Sequence, residues 1–446
     1  MILFTDLAGA TQVSPQEVRI DHSPGLSFSL PSPRNFEVAQ AQNATPRPIG
    51  NLPLVSELSV PKTLPISNSI YRPPQNDIPE SFQPTSKLEG EVIFTGVGIG
   101  GEIKTGNQPR QNHLTVGSRV RLNFDTSFRG EDRLRVRLQS VNTPKLEEAT
   151  GTDMARLAFQ GDSQNQFELS RLEYVLPVNK QATLYVEAIG GSLNDFADTL
   201  NPLLTGSGAG SISRFGQRNP IFRQGGGTGI GLEYEFNPVL RLTVGYLADG
   251  AEDPNQGFLG QESYAAIGQL TFKLKPDIKL GATYVYSYNG LDTGTGSQLA
   301  NDPFAEQSAA ISAHSLGFQS TIRLNRMITL GGWLGFTQAD AIDLPNQPTA
   351  KIINWATTLA FADLGGEGNL LGFVVGQPPK VFANDYEGGG ERTIDPNTSL
   401  HLEAFYRYQV TDNIAITSGL MMIVNPEQNS SNQPIYVGVM RTTFSF

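Results

Sequence analysis

The sequence predicts an all-β fold: a 16-stranded antiparallel transmembrane β-barrel over residues 87–446, behind a Pro-rich irregular segment, residues 1–86. Three observations predict it. From Lys87 to the end of the chain, polar and apolar side chains alternate with a period of two, the spacing that sends successive side chains to opposite faces of a strand. Short turns and long loops alternate along the same stretch. The last eleven residues, YVGVMRTTFSF from Tyr436 to Phe446, form a strand with one largely apolar face that stops on an aromatic.

Composition agrees. The chain has no cysteine, which excludes a disulfide framework and thiolate metal sites. A mean hydropathy of −0.23, with no apolar run near the roughly 18 residues of a membrane helix, fits a barrel whose strands alternate apolar-out and polar-in and so average to neutral. The net charge of −11 excludes nucleic acid as a partner.

Residues 1–86 hold 13 of the 29 prolines. Proline breaks helix interiors and central strands, so this stretch is expected to be an extended or disordered periplasmic arm, with Leu52 to Val60 as one short strand or docking patch. Met1 to Ala10 lacks the basic start and apolar core of a signal peptide. Val38 to Ala41 reads as a small-residue cleavage site with nothing hydrophobic before it, so the true start is expected upstream of Met1.

The first strand is expected at Lys87–Val97. In Ser118 to Phe128, Val120, Leu122 and Phe124 alternate with Arg119, Arg121, Asn123 and Asp125. Leu134, Val136 and Leu138 then alternate with Arg133, Arg135, Arg137 and Gln139. A slip of one residue would turn every arginine into lipid, so the register is strongly specified. Short turns are expected at 129–132, 177–180, 237–239, 275–277, 325–327, 364–368 and 411–413. Long loops are expected near 98–117, 143–165, 191–226, 249–261, 290–312, 339–349, 377–398 and 425–434. Seven turns and eight loops join sixteen strands, short connections on the periplasmic side and long ones outside. The count requires Met154–Phe159 to lie inside a loop. Aromatics on the outward parity, Tyr174, Tyr246, Tyr264, Tyr288, Tyr408 and Tyr436 among them, are placed for the two interfacial girdles.

The inward parity carries the chemistry. Arg119, Arg121, Arg133, Arg135, Arg137 and Arg171 form a basic wall on strands two to four, costly unless water or counter-charges meet it. Inward acids are Glu89 and Glu91 on strand one, Glu173, Glu187, Glu233 and Glu235 on strands four to six. Opposite charges facing across a narrow pore would set up a transverse field and a charge preference. The longest loop, 191–226, holds a helix-like piece, Leu193–Leu204, then Arg214, Arg218 and Arg223.

Other motifs carry nothing. Gly96 to Gly101 matches G-x-G-x-x-G, but no helix follows. The four histidines form no lipid-facing Ser–His pair; His401 shares an inward face with Glu403 and Arg407. No enzyme activity, metal site or cofactor is expected, and acidic loop residues such as Asp249, Asp253 and Asp385 read as solvated charges.

KLEGEVIF at 87–94, RVRLNFDTSFRGEDRLRVRLQSVN at 119–142, ARLAFQGD at 155–162 and LEYVLPV at 172–178 resemble the porins of cyanobacterial outer membranes, which are related to the carbohydrate-selective porins and often labelled iron-uptake porins. The resemblance covers residues 87–446. It implies an outer-membrane channel of a Gram-negative, cyanobacterial cell, passive diffusion of inorganic ions and small polar solutes, and a homotrimer. It implies a third outer loop folded into the barrel, with Asp195, Asp198, Arg214, Arg218 and Arg223 facing the channel. It also implies that the terminal strand, with Tyr436, Phe444 and Phe446, is read by the barrel-assembly machinery. The family's S-layer-homology domain and coiled coil have no counterpart in residues 1–86. The alternative to a diffusion porin is a mainly structural barrel that links the outer membrane to the envelope with little conductance. An energised receptor would need about 22 strands and a plug, more than this chain provides.

Overall fold

A computed structural model describes residues 83–101, 113–255, 257–259, 262–304, 310–387 and 393–446, and the short strands Lys104–Thr105 and Gln108–Pro109. The expected N-terminal arm, including Leu52 to Val60, lies outside the described residues apart from its last four. The barrel strands are β1 (Thr85–Gly100), β2 (Thr115–Ser127), β3 (Arg133–Thr143), β4 (Glu168–Pro177), β5 (Ala182–Ser192), β6 (Gly226–Glu235), β7 (Leu240–Asp249) and β8 (Ser263–Lys275). They continue as β9 (Ile278–Tyr288), β10 (Ile311–Arg323), β11 (Ile328–Ala341), β12 (Thr349–Ala362), β13 (Leu370–Asn384), β14 (Leu400–Thr411), β15 (Ile414–Val424) and β16 (Ile435–Ser445). The sheet has seventeen members, because the two-residue piece Gly161–Asp162 pairs alongside β3. The other sixteen are the predicted strands. Each pairs antiparallel with its neighbour in sequence, and β1 pairs with both β2 and β16, so the sheet closes. Closure leaves no edge, the condition a sheet must meet in hydrocarbon.

Strand β1 starts at Thr85 rather than Lys87 and runs three residues past Val97. Met154–Phe159 lies within the β3–β4 connection, as the sixteen-strand count required. The connection 342–348 is no longer than the turn 363–369, so alternation rather than length assigns it to the long-loop side.

The outer face is apolar and open. Phe94, Phe318, Leu420 and Met440 are 53%, 57%, 69% and 51% exposed, values that mark a lipid-facing band rather than a soluble surface. The short turns are set by local chemistry. The Asn179 carboxamide accepts the amides of Gln181 and Ala182, Asn237 those of Val239 and Leu240, and Asn325 those of Met327 and Ile328, all at 2.8–3.0 Å. This is the Asx-turn geometry that makes asparagine a turn residue.

The 128–132 turn is closed by a carboxylate instead. Asp132 Oδ1 accepts from Ser127 Oγ and from the amides of Phe128 and Arg129, and Oδ2 accepts from Tyr174 Oη. Burial opposes the charge, but these hydrogen bonds outweigh it and bring the carboxyl from 3.8 to about 2. A group with a depressed folded-state pKa stabilises above its unfolded value and loses that contribution as pH falls through the folded one. The wild-type turn is therefore expected to loosen between pH 4 and 2. The protection factor of the Arg129 amide, its exchange rate relative to the unstructured rate at each pH, should fall over that window in the wild type and be low throughout in Asp132→Ala.

The seam between the chain ends is sealed by the last residue. The Gly90 amide donates to the Phe446 carbonyl at 2.7 Å, and the Phe446 amide returns to Gly90 O at 3.0 Å. The Phe446 ring lies over Gly90 on the outer face of β1, where a Cβ would fall 2.2–2.8 Å from three ring atoms. Gly90→Val thus evicts the ring. Its unfolding midpoint in guanidinium should fall by the same amount as that of Phe446→Ala, and the double variant should fall no further, because both remove one contact.

Candidate channel lining

The lumen has two kinds of wall. On β11–β16 and β1 the inward parity is largely apolar: Ile93, Val97, Trp333, Val374, Met421, Ile423, Val437 and Val439 are buried there. On β2–β4 it is cationic. This contrast decides where the connections go. Leu146, Met154, Leu157 and Phe159 of loop 2 (144–167) and Leu204, Ile212 and Phe215 of loop 3 (193–225) pack onto the apolar wall in one cluster. Leu193, Phe196, Ile221 and Phe222 of loop 3 pack on Leu247, Ala265, Ile267 and Val285 of β7–β9. Loop 5 (289–310) seats Leu291, Ala300 and Phe304 on the inner face of β10–β13. Each large apolar side chain buried this way contributes roughly 1.5–3 kcal/mol. Apolar loop residues therefore crowd that side, and the space left lies against the arginine side.

Loop 3 is also latched by polar groups. Glu403 on β14 accepts from Ser211 Oγ at 2.8 Å, from the amides of Ile212 and Ser213 at 2.8 and 3.3 Å, and from Ser213 Oγ. Arg441 on β16 is fully buried and donates to the carbonyls of Ser207 and Gly210, both at 2.8 Å. Its guanidinium stands 5.4 Å from the Phe159 ring centre, a cation–π distance. Ser213, His401 and Glu403 together have the residue types of a hydrolytic triad but not its geometry. The serine bonds the carboxylate directly, the same His401 Nε2 lies 3.2 Å from the serine and 3.4 Å from Glu403, and His401 is fully buried. In a triad the imidazole stands between the other two and uses both nitrogens.

The helix-like piece expected at Leu193–Leu204 is only Leu193–Phe196. Asp195 closes a capping box with Ser192 at its start. Asp198 accepts the Leu200 amide and Leu200 takes φ 52°, so the chain turns instead of continuing.

Between loop 3 and β2–β5 lies a cavity of about 560 Å³. All six arginines of the predicted wall line it, with Glu173, Asp195 and the loop residues Arg214, Arg218 and Arg223. The wall arginines climb the barrel by register. Arg135 faces Asp125 and Glu173, Arg137 faces Asn123 and Arg171, Arg121 faces Gln139, and Arg119 faces Val141. Two-residue steps separate successive levels by roughly 7 Å along a strand.

Four of these arginines have carboxylate partners. Arg119 meets Glu91 at 2.6 Å, Arg133 meets Glu173 at 2.6 Å, Arg135 meets Asp125 at 2.6 Å and Glu89 at 3.7 Å, and Arg171 meets Glu173 at 3.0 Å and also Asp195. The other five, Arg121, Arg137, Arg214, Arg218 and Arg223, have none among the described residues. Arg121 Nε donates to Gln139, Arg137 Nε to Asn123, and Arg214 Nε to the Thr293 carbonyl. Burial pushes Arg214 and Arg218 down to about 10, which leaves both charged at neutral pH.

The acids are placed otherwise than the sequence suggested. Glu233 and Glu235 do not line the cavity; they pair with Arg241 and Lys273 near the short-turn end. Glu187 is fully buried opposite Glu173, beside a register shift that precedes Gly191. Asp198 faces Lys279 at 3.5 Å, away from the cavity. Among the described residues, most of the acids that meet the wall arginines come from the strands beside them, and Asp195 alone pairs with a wall arginine from loop 3. Glu89 and Glu91 on β1, Asp125 on β2 and Glu173 on β4 stand beside the wall, whereas loop 3 presents Asp195 together with Arg214, Arg218 and Arg223 from the other side. Sequence reasoning did not assign Glu403 and Arg441 as the latch of loop 3. Its signal was visible in strands apolar on both faces, such as Ile414–Val424, with an isolated inward charge on their neighbours.

A model of the "Carbohydrate-selective porin, OprB family" matches residues 80–446. An uncharacterized protein of Synechocystis sp. is 36% identical over 388 residues, covering 82% of this chain and 70% of its own length. An uncharacterized protein of Nostoc sp. is 32% identical over 394 residues, covering 82% and 66%. The alignments thus leave about a third of each relative unmatched. Among solved structures, Pseudomonas putida OprB superposes with a TM-score of 0.53 at 11% identity, over 81% of this chain and 94% of that one. The loop L8 deletion mutant of OmpT from Vibrio cholerae gives 0.53 at 8%, over 81% and 99%; at such identities the likeness is one of fold. The family is one of channels and not of enzymes. A closed sixteen-stranded barrel, apolar outside and charged within, matched by the family model along its whole length, places the chain in the carbohydrate-selective porin, OprB family.

Proposed function

We propose that the protein is an outer-membrane porin that passes small polar solutes and inorganic ions by passive diffusion, with a preference for anions. The observation that carries this reading is the set of five cavity-lining guanidiniums that form no ion pair among the described residues. Rings of Arg or Lys in a water-filled pore attract anions and repel cations. In this reading loop 3 narrows the channel and the wall arginines sort what passes. Free iron cations would be disfavoured, whereas iron in an anionic chelate would be accommodated; neutral sugars would pass by size. The terminal strand with Tyr436, Phe444 and Phe446 would serve the barrel-assembly machinery, and the working unit would be a homotrimer.

The test is the reversal potential of the purified protein in a planar bilayer under a KCl gradient. The expected sign is that of chloride carrying more current than potassium. A second reading, a mainly structural barrel, is favoured by one observation: loops 2, 3 and 5 fill much of the lumen with apolar clusters. Well-folded protein that stays electrically silent would support it.

A further inference from the structure

We propose that Arg214, Arg218 and Arg223 of loop 3 form a subsite for a phosphoryl-type dianion, as free phosphate or as a phosphate monoester. The inference rests on the channel reading above and deepens it.

The three arginines line one cavity, and Arg223 reaches the Arg214 backbone. Like charges held together on one loop cost free energy unless something offsets them. The hydrogen bonds that hold Arg214 and Arg223 go to neutral groups, and the nearby acids, Asp153 and Asp292 toward Arg214 and Asp195 toward Arg218, form no ion pair with them among the described residues. Arg223 Nη2 donates to the Arg214 carbonyl at 2.8 Å and to Gln217 Oε1 at 3.0 Å, and Arg214 Nε donates to the Thr293 carbonyl at 3.2 Å. Carbonyl acceptors fix position without neutralising charge. The neighbouring Arg156 shows what a structural arginine looks like in this loop cluster: it pairs with Asp153 at 3.4 Å and Glu147 at 3.9 Å.

Ligand class follows from shape and lining. Guanidinium forks match the paired oxygens of a tetrahedral oxyanion, and several forks converging favour a doubly charged group over a halide. The cavity, about 560 Å³, lies in the range of small-molecule sites. Tyr185 is the one aromatic side chain in its lining, so the stacking faces that would hold a neutral sugar are nearly absent while charged donors are abundant.

The experiment measures chloride current through the wild-type protein in planar bilayers at pH 8 while inorganic phosphate, glucose 6-phosphate, gluconate or glucose is added. Phosphate and glucose 6-phosphate should reduce the current along a saturable curve, and gluconate and glucose should not. The ratio of the two half-blocking concentrations says whether free phosphate or the monoester fits better. In the charge-preserving triple variant Arg214→Lys, Arg218→Lys, Arg223→Lys, the half-blocking phosphate concentration, read against that protein's own chloride current, should rise roughly tenfold or more, since lysine loses the bidentate contacts. Phosphate no more effective than gluconate, or an unchanged half-blocking concentration in the variant, overturns the subsite and leaves the channel reading standing. If the wild type lacks chloride preference or conductance, the channel reading falls, and the phosphorus-31 line width of phosphate with folded protein in detergent decides the subsite. Broadening that the lysine variant abolishes supports it; no broadening overturns it.

Discussion

Glu403→Ala is expected to raise single-channel conductance and current noise while the barrel stays folded. The carboxylate satisfies four donors of loop 3, the hydroxyls of Ser211 and Ser213 and the amides of Ile212 and Ser213. All these groups are buried, and each donor left without a partner costs roughly 1–3 kcal/mol. Water entering beside the alanine recovers part of that only if the loop lifts from β14. The barrel itself is held by ladder hydrogen bonds that the substitution does not touch, so anomalous electrophoretic migration of the unheated protein should persist. Arg441→Met should act in the same direction through the other latch, because it strips the Ser207 and Gly210 carbonyls of their donor. An unchanged conductance in both variants would mean that loop 3 holds its place on apolar packing alone.

The second large effect concerns selectivity. Arg121→Gln combined with Arg137→Gln should move the reversal potential toward cations with little change in unfolding midpoint. Both guanidiniums lean on neutral partners, Gln139 and Ser207 for Arg121 and Asn123 for Arg137, so no carboxylate is stranded. A full charge several Å from a permeating ion in a watery pore is worth on the order of 1 kcal/mol, several-fold in the chloride to potassium ratio per residue. Arg119→Gln makes the contrast. Arg119 is 2% exposed and bonds Glu91 at 2.6 Å, and breaking such a buried pair typically costs about 3–5 kcal/mol. That variant should lose stability as well as selectivity. If the double glutamine variant keeps the wild-type reversal potential, these arginines brace the sheet and do not sort ions.

The strands were legible because parity is a strict physical code. A membrane barrel cannot shift Arg119, Arg121 or Arg135 by one place without putting charge into hydrocarbon, so the inward set could be read from alternation. Partnerships across strands were not legible. Which acid meets which arginine depends on register and on bulges; Glu233 and Glu235 stand beside Arg241 and Lys273, and Glu187 lies buried opposite Glu173 without lining the cavity. The path of loop 3 was hidden for another reason. Periodicity suggested a helix through Leu204, but Asp198 and Leu200 break it locally, and the loop's course is set by an apolar wall contributed by strands far along the chain. Strand β16 carried the clue: Val437 and Val439 face inward, where a pore lined throughout with water would place polar groups.

The Arg441 grip on loop 3 joins residues more than 230 positions apart, and its strand is the last of the sixteen in chain order. Until that strand takes its place beside β1, the carbonyls of Ser207 and Gly210 have no guanidinium to hold them. One polar latch of loop 3 thus forms only as the sheet closes, and a barrel still open along its seam holds that loop by Glu403 and apolar packing without it.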